Sequence, residues 1–219
     1  MLREKFRARS SVGRMPHSHC GGQRSESARV HQTFSLMLTK EQRKRLLKIA
    51  RKSIEDYLGK NRKIKPDERD PLLLSASGVF VTLHKDGDLR GCIGRLSADK
   101  PLYLGVCEMA VEAAVGDPRF APVNLEELEK IEIEISVLSP MTRVYSADEI
   151  KLGAHGVLVK QGFSSGVFLP QVAGEAGWSK EEFLSQLCSH KAGLEPDAWK
   201  DKTTELYIFT AEIFSERNY

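Results

Sequence analysis

Residues 78–96 read GVFVTLHKDGDLRGCIGRL, and this stretch decides the fold prediction. Residues 79–84 are rich in β-branched and aromatic side chains, which favour a strand. Asp86-Gly87 follows, and a second run returns at 89–94. Asp-Gly between two such runs indicates a hairpin, because both central residues of a type I′ turn need positive φ. The stretch therefore predicts a two-stranded β-hairpin.

The returning strand of this hairpin carries a cysteine between two glycines, as Gly91, Cys92 and Gly94. Glycine inside a strand indicates a bulge or a close approach by a ligand or another backbone. Side chains two apart on a strand share a face, so Arg90 is expected beside the Cys92 sulfur, where a cation stabilises a thiolate. The pattern predicts a nucleophilic or redox thiol at Cys92. The competing interpretation is a small buried residue that fills a tight glycine hairpin.

The face on which Cys92 lies depends on the length of the hairpin loop. A two-residue Asp-Gly turn pairs Cys92 with Val81, whereas a loop one residue longer pairs it with Thr82, because a one-residue slip exchanges the faces. The apolar pattern of Leu89 and Ile93 favours the longer loop. The turn chemistry favours the shorter loop. We expect the shorter loop and the pairing of Cys92 with Val81.

The same hairpin carries a family resemblance. Leu-Arg-Gly-Cys-Ile-Gly at 89–94 is similar to the signature of the AMMECR domain family, called AmmeMemoRadiSam system protein A in prokaryotes. Ala121 is one departure, where a proline is expected, and it affects only a loop. Six ordered motifs spread over residues 38–216 do not match by chance. The other five are Asp117-Pro118-Arg119-Phe120, Ile135-Ser136-Val137-Leu138, Gly153-Ala154-His155-Gly156, Leu169-Pro170-Gln171-Val172 and Lys191-Ala192-Gly193-Leu194.

The resemblance implies a fold of two unequal lobes with a cleft between them. It implies no established activity, because the biochemical role of the family is itself unsettled. Prokaryotic members are associated with a Memo-type protein and a radical-SAM protein, which suggests a shared modification pathway. The cofactor is left open, since the sequence has no iron–sulfur or SAM motif of its own. The candidate ligand-binding residues lie in these motifs: Leu89, Gly91, Ile93, Gly94, Asp117 and Arg119.

Hydrophobic periodicity outside the hairpin predicts further strands and helices. Strands, hairpins and helices in mixed order indicate an α+β fold with an antiparallel β-sheet flanked by helices. The predicted elements, in order, are a helix from the Thr39–Gln42 capping box to Gly59, a helix from Pro101 to Gly116, a short helix capped by Asn124, a strand at Ile131–Leu138, a short helix at 146–152, a hairpin of 156–160 and 166–169, a helix from Ser179 to Gly193, and one strand at 205–214.

Length and composition are ordinary for a globular protein. The chain has 219 residues, of which 41% are hydrophobic and 29% charged, enough for one domain with a sizeable core. No apolar run approaches the roughly 18 residues of a membrane span. The four cysteines have neither zinc-site nor disulfide spacing, so we predict no metal and a reducing cytoplasm.

The net charge of +3 conceals a division of the chain. Residues 1–65 hold 18 Lys and Arg against 5 Asp and Glu, and the rest hold 15 against 25. Much of the basic excess lies in residues 1–36 and on one solvated helix face, and the composition of 1–36 predicts a disordered tail preceding a domain at 37–219. An organelle transit peptide and an over-extended gene start, with Met37 as the alternative start, are the other interpretations. Aromatic residues are not interleaved with the basic ones, which argues against nucleic-acid binding.

His155 lies between Gly153 and Gly156 and is the second candidate catalytic side chain. It can act as general base or acid to the thiol, although we favour a histidine that hydrogen-bonds its own turn. Asp117 and Arg119 are expected to form a local turn-locking pair. Two classes of function stay open. One is an enzyme or maturation factor that uses Cys92, Arg90 and His155, and the other is a non-catalytic module that binds a small ligand or a protein.

Overall fold

The computed structural model describes residues 37–219, so the predicted tail at 1–36 lies outside the described residues. These residues form an α+β fold with antiparallel strands, as the sequence predicted, and the strands make two four-stranded sheets. No helix among them is long and apolar enough to span a bilayer.

The α-helices are α1 Lys40–Lys60, α2 Pro71–Leu74, α3 Leu102–Val115, α4 Leu125–Leu128, α5 Pro170–Ala176 and α6 Lys180–Gln186. The strands are β1 Val79–Lys85, β2 Asp88–Arg95, β3 Ile131–Leu138, β4 Thr142–Val144, β5 Gly156–Gln161, β6 Ser164–Phe168, β7 Glu205–Phe209 and β8 Ala211–Ser215.

The first sheet has the strand order β2-β1-β3-β8 and packs one face on α1 and α3. The predicted strand at Ile131–Leu138 is confirmed as β3, and its odd-numbered residues are buried. This alternation follows from the pleat, which sends successive side chains to opposite faces. The core of this half contains Leu46 and Ile54 of α1, Val79, Val81 and Leu83 of β1, and Val106 and Ala110 of α3.

The second sheet has the strand order β4-β7-β5-β6. Its core is a separate cluster in which Val157 and Val159 of β5 pack with Phe183 and Leu184 of α6. The predicted second hairpin is confirmed as β5–β6, closed by the two residues Gly162 and Phe163. Gly162 has φ +59 while Phe163 does not have positive φ, which is the pattern of a type II′ turn.

The single strand predicted at 205–214 is wrong, because the chain changes sheets within it. Residues 205–209 pair in the second sheet as β7, and residues 211–215 pair in the first as β8. At the change, the Ser139 N–H donates to the Thr210 carbonyl and the Thr210 N–H donates to Ser139 Oγ, both at 2.9 Å. An unbroken apolar run does not distinguish one long strand from two short strands in different sheets.

The predicted helix boundaries are confirmed where a cap is formed locally. The Thr39–Gln42 and Ser179–Glu182 capping boxes are both present. The first helix extends past Gly59 to Lys60, because Asn61 takes the left-handed conformation with φ +48 and closes it. The helix predicted at 146–152 is a single 3₁₀ turn at Ala147–Glu149, and α6 widens into a π-helix at Leu187–Ala192.

Candidate functional site

The hairpin at Cys92 combines the short turn with the register of the longer loop. Asp86 and Gly87 both have positive φ, as a type I′ turn requires, and Lys85 pairs with Asp88. The register then shifts between Leu83 and His84, leaving Arg90 as the extra residue of a β-bulge. Cys92 therefore pairs with Thr82, and the predicted pairing with Val81 is wrong. The bulge keeps the turn chemistry and places Ile93 opposite Val81 against the core, whereas Leu89 pairs with His84 and lies at the groove.

The backbone of Cys92 is held at both of its polar groups. The Cys92 N–H donates to Asp117 Oδ2 at 2.9 Å, and Arg119 Nη2 donates to the Cys92 carbonyl at 3.3 Å. Arg119 also binds Asp117 through two nitrogens, at 2.9 and 2.7 Å. The arginine hydrogen bonds hold the pKa of the Asp117 carboxyl well below its usual range, and burial opposes them. The predicted Asp117–Arg119 pair is present, and it also fixes the position of Cys92.

This double contact occurs because β2 is an edge strand. In a two-residue hairpin the residues flanking the turn form a hydrogen-bonded pair, and non-hydrogen-bonded pairs alternate with such pairs. Beyond the bulge, Thr82 and Cys92 form a non-hydrogen-bonded pair, so the Cys92 N–H and C=O point outward from the sheet. Asp117 and Arg119 satisfy these outward groups. The same type of pair brings side chains close together, and the Thr82 hydroxyl donates to Cys92 Sγ at 3.3 Å.

The Cys92 side chain lies in a groove of about 790 Å³ that is lined by residues of both sheets. Cys92 itself is half-buried. Arg119 and Lys191 are the cationic side chains at the groove, Glu134 is its acidic residue, and His84 also lines it. From the first sheet and its hairpin the groove is also lined by Phe80, Thr82, Leu89 and Leu96; from the second half of the chain by Leu158, residues 165–169, Gln171 and Val172.

The two glycines around Cys92 are required by close packing. A Cβ on Gly91 would collide with the backbone carbonyl oxygen of Ala113 in α3. A Cβ on Gly94 would collide with the Phe80 ring. The predicted close approach of another backbone is therefore confirmed at Gly91, and Gly94 is covered by an aromatic side chain.

The Arg90 guanidinium is paired away from the thiol. Its Nε and Nη2 donate to the two carboxylate oxygens of Glu127 at 2.8 and 3.1 Å, and Nη2 also donates to the Ala121 carbonyl. Lys85 Nζ lies 3.0 Å from the same carboxylate. Residues two apart share a face only on a regular strand. Arg90 is the extra residue of the bulge, so this rule does not place its side chain on the face of Cys92. Arg119 is the guanidinium that contacts Cys92.

His155 lies in its own turn. Its Nδ1 accepts a hydrogen bond from the Lys151 N–H at 3.2 Å, which is the favoured prediction for this residue. Burial, together with the neighbouring Lys151 charge, lowers the pKa of the imidazole. His155 is not among the residues that line the groove, whereas His84 is.

The other two described cysteines are buried. Cys107 is 6% exposed in α3, and Cys188 is fully enclosed in the π-helix segment. Burial raises the pKa of both thiols. Among residues 37–219, Cys92 is the one cysteine that is half-buried, and it lines the groove; Cys107 borders a separate pocket of about 260 Å³ but is itself buried.

The sequence matches one family and its archaeal members over most of its length. The AMMECR1 family model matches residues 47–214. This chain belongs to the AMMECR1 family. A protein of Methanothermobacter thermautotrophicus is 45% identical over 186 residues, which cover 82% of this chain and 96% of that protein. Protein PF1979 of Pyrococcus furiosus is 46% identical over 182 residues, which cover 78% of this chain and 86% of that protein.

A solved structure agrees with the AMMECR1 assignment. The crystal structure of the uncharacterised protein PH0010 from Pyrococcus horikoshii is similar with a TM-score of 0.73 at 43% identity. The match covers 78% of this chain and 89% of that chain. The family resemblance inferred from the six motifs is confirmed.

Sequence reasoning missed several residues of the groove in this AMMECR1 protein. Thr82 and His84 were assigned to the face opposite Cys92, because the bulge is not visible in the sequence. Gln171 and Lys191 stood in the quoted motifs without a proposed role, yet both line the groove. The one indication in the sequence was that both residues stand in motifs of the same family signature as Cys92.

Proposed function

We propose that the protein is a thiol-dependent enzyme or maturation factor in which Cys92 attacks a substrate held in the groove. One observation carries the proposal: Asp117 and Arg119 hold both backbone polar groups of Cys92 while its sulfur lies in the groove. A nucleophile fixed by its backbone needs little reorganisation to reach a bound substrate. In the reaction, a sulfur electron pair forms a bond to a carbonyl carbon of the substrate, the C=O π bond breaks with its electron pair passing to the oxygen, and the thiol proton passes to a base.

Two roles differ from those suggested by the sequence alone. Arg119, and not Arg90, is proposed to stabilise the thiolate, since it donates to the Cys92 backbone carbonyl while Arg90 binds Glu127. His84, and not His155, is proposed as the base, since it lies on the Thr82 face of β1 and lines the groove. Histidine is suited to this step because its ordinary pKa is close to neutral pH.

The wider setting is proposed from the family resemblance. We propose that residues 37–219 form the functional domain and that this domain acts in the cytoplasm. Its proposed partners are a Memo-type protein and a radical-SAM protein in a shared modification pathway. The ordered motifs of this chain support that setting, and the family itself is the AMMECR1 family.

The thiol proposal is tested by alkylation of the native protein with iodoacetamide over a range of pH, read by peptide mass spectrometry. Cys92 is expected to react at least tenfold faster than Cys107 or Cys188, because burial blocks access to those two sulfurs. Equal and slow labelling of all three would overturn the proposal. The non-catalytic binding module would then be preferred.

A matched pair of arginine variants identifies the cation that acts on Cys92. Arg119→Gln is expected to slow the alkylation of Cys92 about threefold to tenfold near neutral pH, because the cation that contacts the Cys92 backbone is removed. Arg90→Gln is the control and is expected to change the rate less than twofold, since the Arg90 guanidinium binds Glu127 and the Ala121 carbonyl, whereas Arg119 binds Cys92. A larger effect of Arg90→Gln would restore the assignment made from sequence.

A further inference from the structure

We propose that the groove binds an extended polypeptide segment, which pairs with the open edge of β6 as an additional strand. The proposal names the class of substrate or partner for the site around Cys92, and in that respect it rests on the proposed function. The binding itself requires only the edge of β6 and the groove. Strand addition of this kind gives affinity through backbone hydrogen bonds and specificity through alternate side chains.

The hairpin register shows which backbone groups of β6 point outward. Gln161 and Ser164 flank a two-residue turn and therefore form a hydrogen-bonded pair. Pairs alternate along an antiparallel ladder, so Lys160–Ser165 and Leu158–Val167 are non-hydrogen-bonded pairs. Because β6 is an edge of its sheet, the N–H and C=O groups of Ser165 and Val167 point away from β5.

The same rule is already verified in the first hairpin. It places the N–H and C=O of Cys92 on the outer edge of β2, where they bond to Asp117 and Arg119. Within residues 37–219, no group outside the β5 ladder hydrogen-bonds to the backbone of Ser165 or Val167. Of the two strand edges that border the groove, one is covered at the site and the other is open.

The open edge faces the groove. Residues 165–169 line it without interruption, as expected when a strand presents its edge as well as its side chains. An edge strand usually carries a charge or proline that blocks pairing with another chain, and β6 reads Ser-Ser-Gly-Val-Phe with neither. The face of β6 on which a Gly166 side chain would lie is covered by the backbone of Lys191 and Ala192. An approaching chain therefore reaches β6 along its edge and not from that face.

A further group at the groove lacks a partner. The Gln171 amide oxygen Oε1 is buried and accepts no hydrogen bond within the described residues. Buried acceptors of this kind are costly unless a donor reaches them. The N–H of a bound peptide is a donor of the required type, and Gln171 follows β6 by three residues at the same groove.

The lining also indicates the character of the peptide. Val167 and Leu158 form one pair of the ladder, and Phe80 of the first sheet lines the same groove. Alternate side chains of an added strand would meet these groups, which favours apolar residues at every second position. Arg119 and Lys191 favour an acidic side chain or a terminal carboxylate near Cys92.

The test uses the full chain with Cys92→Ser, so that binding is measured without any reaction of the thiol. A displayed library of short random linear peptides is selected on this protein, and the enriched peptides are synthesised with single N-methyl groups at each position. Methylation at alternate positions is expected to weaken binding about tenfold or more, because each such change removes a backbone hydrogen bond to β6. Intervening positions should change binding less than threefold.

A second arm alters the protein. Val167→Pro removes the outward N–H and is expected to reduce binding at least tenfold; Val167→Thr keeps the N–H and the branched shape and is the matched control. Should the proline variant not fold, the N-methyl series decides alone. Absence of any enriched peptide, or a methylation pattern without alternation, overturns the peptide site. Because Cys92 is replaced throughout, these outcomes are independent of the alkylation test of the thiol.

Discussion

The two hairpins that border the groove, β1–β2 and β5–β6, have similar turns and different edges. Each closes on two residues and uses positive φ, at Asp86 and Gly87 in one and at Gly162 in the other. Each also places a glycine against the backbone of a helix, Gly91 against α3 and Gly166 against the π-helix segment. They differ at the outer strand, since β2 contains a bulge and β6 is regular.

The outer edges show what that difference does. At Cys92 the outward backbone groups of β2 are satisfied by side chains from the loop after α3. At Ser165 and Val167 the outward groups of β6 are left open toward the groove. An edge closed by its own chain gives a fixed position to a reactive side chain. An open edge provides a surface for another chain, and the groove has one edge of each kind.

The largest expected effect is from filling the glycine contacts that the two hairpins share. Gly91→Ala is expected to destabilise the fold by about 3 kcal/mol or more, because its new methyl group meets a backbone carbonyl that cannot move aside. Gly166→Ala should have a similar or slightly smaller effect, since its Cβ would lie 2.6 Å from the Ala192 nitrogen. Chemical denaturation of each variant gives the free energy of unfolding.

Gly174→Ala is the control for these two variants. Gly174 lies exposed in α5, and apart from its chain neighbours and the helix's own backbone no atom of the described residues lies within 4 Å of the position that an added methyl group would take. Alanine there should be neutral or stabilise the helix by about 0.5–1 kcal/mol. If Gly91→Ala unfolded no more readily than Gly174→Ala, the close packing of β2 on α3 would be wrong.

The second effect separates the two edges. Asp117→Ala leaves the Cys92 N–H without its acceptor and Arg119 without its carboxylate, and is expected to cost about 2 kcal/mol. Asp197→Ala, which breaks the exposed pair with Lys200, is the control and should cost less than about 0.5 kcal/mol. Asp197 is 74% exposed, whereas the Asp117 side chain is 2% exposed.

Hydrogen exchange resolves the same comparison amide by amide. In the unaltered protein the Cys92 N–H should exchange slowly, while the outward N–H groups of Ser165 and Val167 exchange quickly. In Asp117→Ala the Cys92 N–H loses its acceptor and should exchange as quickly as the N–H groups of Ser165 and Val167. Slow exchange at Ser165 and Val167 in the unaltered protein would show that the edge of β6 is not open.

Local features of the fold were predictable from the sequence. The β3 strand at Ile131–Leu138 follows from strict alternation, and the capping boxes at Thr39 and Ser179 follow from side chains three residues apart. The Asp86-Gly87 turn follows from the φ preferences of its residues. Each of these is decided by contacts within a few positions of the chain.

The missed features depend on contacts that the sequence does not display. The bulge at Arg90 is fixed by Glu127, which lies 37 positions away and holds the extra residue. The change of sheet at Thr210 depends on Ser139, 71 positions away. The Asp117–Arg119 pair was predicted, but its hold on Cys92 depends on β2 being an edge, which only the sheet order decides.

The smallest expected effect concerns the bulge, the feature that β6 lacks. Arg90, followed by Lys85, lowers the pKa of Glu127 to about 2 from its ordinary 4.5. A lowered pKa means that Glu127 stabilises the fold above pH 4.5, and that this stability is lost as the pH falls towards 2. Water screens the pair, so the loss is expected to be about 1 kcal/mol. Glu127→Gln should remove this part of the acid dependence, measured by denaturation at a series of pH values. The exposed neighbour Glu126→Gln is the control, and an acid dependence left unchanged by Glu127→Gln would mean that the Arg90 pair does not hold the bulge.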